Sequence, residues 1–169
     1  MNDDKTLKVK GAPSLAELRA AGMLPSVEDL SKGACLCIEC VEEIPCNPCE
    51  TSCPQGAIAV GTPITNLPVL DGSKCTACGL CIAACPGLAI MMKDGSGDEA
   101  VIRFPYEYFP LPEVGQKVTM CDRMGKAVCV GTIKRVDTPK RNDRTAVVTA
   151  AFDKSMIAEV VSMVRLNRT

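Results

Sequence analysis

The chain has 169 residues, 47% of them hydrophobic, with 12 cysteines, no tryptophan and no histidine. Its net charge of −1 speaks against a nucleic-acid binder working through a broad basic surface. Without imidazole there is no histidine base, histidine-held zinc, haem or Rieske centre, so metal chemistry here has to use thiolates.

Residues 1–34 carry five acidic and five basic side chains and read as an N-terminal helical extension. "PSLAELRAAG" predicts a short helix, with Ser14 and Glu17 as a capping box and Gly22 as the stop. "PSVEDLSKG" repeats the signal more weakly and ends near Gly33. The opening "MNDDKTLKVK" is polar and lacks an apolar run of signal-peptide length. No run approaches the roughly 20 apolar residues of a membrane span. The expectation is a cytoplasmic chain with reduced thiols, in preference to a disulfide-stapled secreted module.

Residues 35–94 hold ten of the cysteines, from Cys35 to Cys85, and carry six acidic against two basic side chains. Within them lies a repeat. Moved forward by 32 residues, Cys46 falls on Cys78, Cys49 on Cys81, Cys53 on Cys85, Pro54 on Pro86 and Ile58 on Ile90. Each copy ends in an apolar run, "AIAV" or "AIMM", fit for a strand.

Residues 95–169 carry nine acidic against twelve basic side chains. "VIRFPYEY", "KVTMC", "AVCVGTIKRV" and "RTAVVTAAF" alternate apolar and polar residues at strand period. Turn signals at 122–125 and in "DTPKRND" separate them. "KSMIAEVVSMVRL" predicts a helix with Ile157, Val160, Val161 and Val164 on one face. The expected fold class is α+β, with a small C-terminal antiparallel β domain closed by that helix.

Three closely spaced cysteines can wrap one iron–sulfur cube at little loop-closure cost, while a fourth, three residues on and followed by proline, points to a second cube. Small Gly79 would let backbone approach the cluster. Residues 40–92 resemble the two-cluster, clostridial-type ferredoxins. The resemblance implies two [4Fe-4S] clusters in a pseudo-twofold core. On that pattern Cys53, Cys75, Cys78 and Cys81 hold one cluster, and Cys46, Cys49 and Cys85 plus one further ligand hold the other. The sequence departs from the family at this last ligand. The repeat partner of Cys75 is Glu43, and the nearest upstream thiol is Cys40, with five residues between it and Cys46 instead of two. Cys40 is the expected ligand if "VEEIP" bulges. Cys37, a Glu43 oxygen and a three-iron cluster are the alternatives.

Cys35, Cys37, Cys121 and Cys129 remain. Four thiols would suffice for a third site, but Cys121 and Cys129 lie in strand-like runs and read as small buried apolar residues. Cys35 and Cys37, with one residue between them, are spaced more tightly than chelation usually requires. Zinc in the two C-x2-C knuckles would leave the third cysteine and the proline of each copy without a role.

A cluster ligated by four cysteines has no open position for substrate, so the function implied is one-electron relay without bond chemistry of its own. Taken over the whole chain, "CIECVEEIPCNPCETSCPQGAI" followed by a β-rich tail also resembles the small iron–sulfur subunits that accompany FAD-dependent dehydrogenases of amino or imino acids and of related small metabolites. That implies a hetero-oligomer in which a flavin on the partner passes electrons singly into this chain. A free-standing ferredoxin is the alternative. No G-x-G-x-x-G or P-loop is present for flavin or nucleotide binding by the chain itself. The aromatic "RFPYEYFPLPEVG" link is a candidate docking edge, and the basic run "TIKRVDTPKRNDR", broken by acids, reads as a solvated hairpin.

Overall fold

The computed structural model describes residues 6–167. The first five residues of the N-terminal extension and the last two of the tail lie outside the described residues. A short helix α1 (Thr6–Lys10) precedes α2 (Leu15–Ala20) and α3 (Val27–Lys32). Helix α2 begins as its sequence requires. Ser14 Oγ accepts from the Glu17 N–H at 3.2 Å, and the Glu17 carboxylate accepts from the Ser14 N–H at 2.7 Å. It ends in a Schellman turn: Gly22, at φ 67, donates to the Arg19 carbonyl and Met23 to that of Leu18. Ser26 caps α3, and Leu18 and Leu30 turn inward as the buried anchors of the two helices.

The rest is organised by one seven-stranded sheet and a two-stranded ribbon. Strand β1 (Cys35–Ile38) is followed by α4 (Pro48–Thr51), β2 (Ile58–Ala59), β3 (Val69–Leu70), α5 (Leu80–Ala84) and β4 (Ile90–Asp94). Then come β5 (Ala100–Tyr106), β6 (Lys117–Cys121), β7 (Ala127–Asp137), β8 (Ala146–Phe152) and β9 (Ser162–Met163). The sheet order is β1-β4-β5-β8-β7-β6-β9, and every pairing is antiparallel. β2 and β3 form the separate ribbon.

The strand registers follow the 32-residue repeat. In the ribbon, Ile58 faces Leu70 and Ala59 faces Val69. Adding 32 to the first member and subtracting 32 from the second gives Ile90 facing Ile38 and Met91 facing Cys37, which are the observed β4–β1 pairs. The helices obey the same shift, since Pro48 opens α4 and Leu80 opens α5.

Strand β4 is buried on both sides because it serves two cores. Ile90 and Met92 join Leu36 and Ile38 in a cluster with the thiol-bearing helices and loops. Met91 and Cys37 face the opposite way, into a larger core with Ile102, Phe104, Met120, Ile133, Val148 and Phe152. Alternation along a strand accounts for the split.

The expected C-terminal helix is not formed. Lys154–Met156 make one 3-10 turn, capped by Asp153, and the chain then extends into β9. Ile157 and Val160 are buried, as the helical pattern required of them, but the backbone takes another course. β6 has a free edge, and the segment closes it. The Val161 N–H donates to the Cys121 carbonyl at 3.0 Å and the Val164 N–H to that of Thr119 at 2.8 Å. β-branched Val160, Val161 and Val164 suit that pairing better than a helix. The tail is thus closed by an edge strand.

Candidate metal centre

The eight cysteines expected to bind clusters gather around two recesses of similar size. Ring one comprises Cys53, Cys75, Cys78 and Cys81 around about 330 Å³ of space counting its open mouth, with Leu36, Ile58 and Met92 as apolar wall. Ring two comprises Cys40, Cys46, Cys49 and Cys85 around about 380 Å³ measured in the same way, with Ile38, Ile44 and Ile90. Each ring therefore takes three thiols from one end of the repeat and one from the other.

Glu43 is exposed and does not line ring two, whereas Glu42 and Ile44 do. The 41–45 segment has no regular structure and is pinned at its end by the Cys46 N–H, which donates to the Ile64 carbonyl at 3.1 Å. Cys37 is held away from both rings by strand alternation. It is fully buried in the larger core, its thiol lies 4.0 Å from the Cys35 carbonyl, and burial pushes its pKa up to about 12. Cys35 packs against the same core, as does Cys129 on β7, and Cys121 on β6 is buried. None of these four cysteines lines either recess.

Two backbone hydrogen bonds repeat across the rings. The Ala57 N–H donates to the Cys53 sulfur at 3.3 Å, and the Ala89 N–H donates to the Cys85 sulfur at 3.4 Å. The turn that aims them needs a left-handed residue one position earlier. Gly56 supplies it at φ 57, and Leu88 occupies the equivalent place at φ 53. Burial pushes the Cys53 thiol up, but the N–H groups of Ala57, Gln55, Ile58 and Gly56 outweigh that and hold it below the usual thiol range.

Gly79 has a role beyond the one its sequence suggests. At φ +78, it also leaves room for a guanidinium, since a Cβ there would stand 2.7 Å from Arg103 Nη2.

The electrostatics of Cys81, Cys49 and Cys40 follow the two recesses. Burial pushes Cys81 up to about 12, with Cys78, Cys75 and Cys53 adding repulsion. Burial also raises Cys49, with Cys85, Cys46 and Cys40 adding to it, and raises Cys40, with Cys85 and Cys46 adding to it. Four thiolates crowded into an apolar recess repel one another unless cations lie between them. Among the described residues, no group of three or more Cys, Asp or Glu side chains converges on a point where a single ion would sit. Thiols spread around a recess fit a polynuclear iron–sulfur group in their donor chemistry.

Residues 68–91 match the family described as a 4Fe-4S binding domain. These residues form an iron–sulfur binding domain. They span β3, the cysteines Cys75 to Cys85, and the start of β4. The chain is similar to a subunit of the ion-translocating oxidoreductase complex of Methanosarcina acetivorans, at 48% identity over 30% of this chain and 18% of that protein. It is also similar to the polyferredoxin-like subunit of the aliphatic sulfonate oxidoreductase of Pyrococcus furiosus, at 34% identity over 38% of this chain and 35% of that protein. The chain thus spans about a third or less of the length of these curated relatives. No solved structure gives a significant match. No helix among the described residues is long and apolar enough to cross a membrane.

Proposed function

We propose that this chain relays single electrons through two [4Fe-4S] clusters, as the iron–sulfur subunit of an oxidoreductase complex with a flavin-dependent dehydrogenase. Ring one would hold one cluster and ring two the other, with Cys40 as the displaced ligand. The observation carrying this reading is the pair of like-sized recesses, each lined by four thiols. When bound, such a cluster changes oxidation state by one electron, and four cysteine ligands leave it no open position for substrate.

The chain's own residues set the conditions of that exchange. The N–H groups of Ala57 and Ala89 stabilise negative charge on the Cys53 and Cys85 sulfurs. Leu36, Ile38, Ile58, Ile90 and Met92 exclude water from the two recesses. Two relatives named as oxidoreductase subunits support a place in a larger assembly. The exposed Tyr108 and Phe109, on the β5–β6 link, are a candidate surface for its contacts.

Anaerobic isolation of the full chain tests the cofactor reading. About eight irons and about eight sulfides per chain, with two one-electron reduction waves, are expected for two [4Fe-4S] clusters. About four of each would reduce the reading to one cluster, and zinc in place of iron would end it. Native purification tests the partner, since the flavoprotein reading requires a flavin-bearing chain to co-elute.

A further inference from the structure

Ring one does not close over Cys78, the one exposed cysteine of the twelve. Cys78, Gly79 and Leu80 line its recess and also form one wall of a wider cavity, of about 930 Å³ counting its open mouth. The opposite wall comes from β7, β8 and the loop between them, and three arginines line the space: Arg103, Arg135 and Arg141. The carboxylate there is Asp137, whose Oδ1 accepts from Arg135 Nε at 2.6 Å. Arg103 is fixed against ring one, its Nη1 donating to the Ala77 carbonyl at 3.4 Å. Arg135 and Arg141 are exposed. Three guanidinium groups against one carboxylate give a positive cavity at the rim of a segment, 35–94, that is otherwise acidic.

We propose that this Arg103–Arg135–Arg141 cavity is the electron-exchange port of ring one, and that it receives the acidic face of a protein carrying a one-electron centre. The inference rests on the cluster reading above. A cluster fully ligated by cysteine exchanges electrons and not bonds, so a visitor at Cys78 must itself accept or donate one electron. Charge complementarity makes that visitor anionic, and a positive cavity raises its rate of encounter.

The test uses the full chain with its clusters reduced. Ferricyanide, an anionic oxidant, takes one electron per molecule from a cluster and becomes ferrocyanide, with no bond made or broken in the protein. Hexaamminecobalt(III) is the cationic counterpart. Stopped-flow rates should fall with salt for ferricyanide and rise for the cobalt complex. Arg135→Glu with Arg141→Glu should slow ferricyanide by about tenfold or more and speed the cobalt complex. Poly-L-glutamate should protect against ferricyanide, whereas free glutamate at equal charge should not.

A second readout needs no electron transfer. Redox-inert hexacyanochromate(III) should broaden amide resonances of residues 135–142, and the double variant should abolish that broadening. Iron-free protein would sink the cluster reading itself. Loaded protein whose ferricyanide rate is unchanged by salt and by the double variant, or broadening elsewhere, would overturn the port alone. Equal protection by free glutamate would overturn the docking of an acidic protein.

Discussion

The guanidinium of Arg123 binds both carboxylate oxygens of Glu39, Nε to Oε2 at 2.7 Å and Nη2 to Oε1 at 2.6 Å, and both side chains are buried. Arg123 Nη1 also donates to the carbonyls of Ala158, at 3.1 Å, and Glu159, at 3.4 Å. One side chain from the β6–β7 turn thus ties the residue before Cys40 to the segment leading into β9. Arg123→Ala should lower stability by about 3–5 kcal/mol, because it leaves a buried carboxylate uncompensated. Anaerobic denaturant unfolding would measure it, and Glu39→Gln in the Arg123→Ala background should recover part of the loss. A cost below about 1 kcal/mol would mean that the pair behaves as an exposed one.

Lys93 predicts a pH effect with a definite sign. Its ammonium is fully buried, donates to the carbonyls of Ile157 at 2.9 Å and Ala158 at 3.4 Å, and is pulled down by burial to about 8. The unfolded chain keeps that proton to about pH 10.4. Between those values the unfolded state binds more protons, so the lysine contribution to stability rises with pH. Below pH 8 both states are charged and the penalty is constant. Cys37 opposes this at higher pH. Its folded thiol stays protonated to about 12, so its contribution is lost as pH rises from about 9. Across pH 8 to 9, the wild type should therefore gain stability relative to Lys93→Met, by at most about 1.4 kcal/mol per unit. Parallel curves for the two proteins would refute the assignment.

Cys40 and Cys37 lie three residues apart, yet their substitution should have different consequences. Cys40→Ala should cost one cluster, taking iron from about eight to about four per chain and removing one reduction wave. Cys37→Ala should leave iron and both waves intact and lower stability by about 1 kcal/mol, as expected for a small buried apolar side chain. The reverse pattern would move the displaced ligand to Cys37.

Two glycines should resist substitution for different reasons. Gly56 has open space around it, so Gly56→Ala meets only the left-handed backbone at φ +57 and should cost about 1–2 kcal/mol. A Cβ on Gly131 would stand 2.6 Å from Sδ and 2.8 Å from Cγ of fully buried Met120. Gly131→Ala should cost about 1–3 kcal/mol by overpacking. In a Met120→Ala background most of that increment should vanish, while the Gly56 increment should persist.

Much of this arrangement is legible in the residues because it is local. The capping box of α2, the strand-period runs of β5 to β8 and the 122–125 turn are all short-range signals, and each forms where the sequence places it. The C-terminal segment misleads because Ile157 and Val160 are spaced as on a helix and are buried as a helix would bury them. What decides the backbone is the open edge of β6, a partner distant in sequence. Arg123–Glu39 and the three-arginine cavity leave no mark for the same reason. Their members come from the residue after β1 or from β5 on one side and from β7 or its flanking turns on the other, and only the sheet brings them together. Alternation along β1 puts Cys37 on the face opposite Leu36 and Ile38, the two residues that face the rings.

β4 is shared property: one side seals the thiol-bearing half and the other seals the tail. Severing the polypeptide after Asp94 would not liberate two independent pieces. It would bare the β4 and β5 margins at once, each primed to seize a strand from another molecule. The thiol-bearing half and its β-rich companion are therefore expected to fold and unfold as a unit.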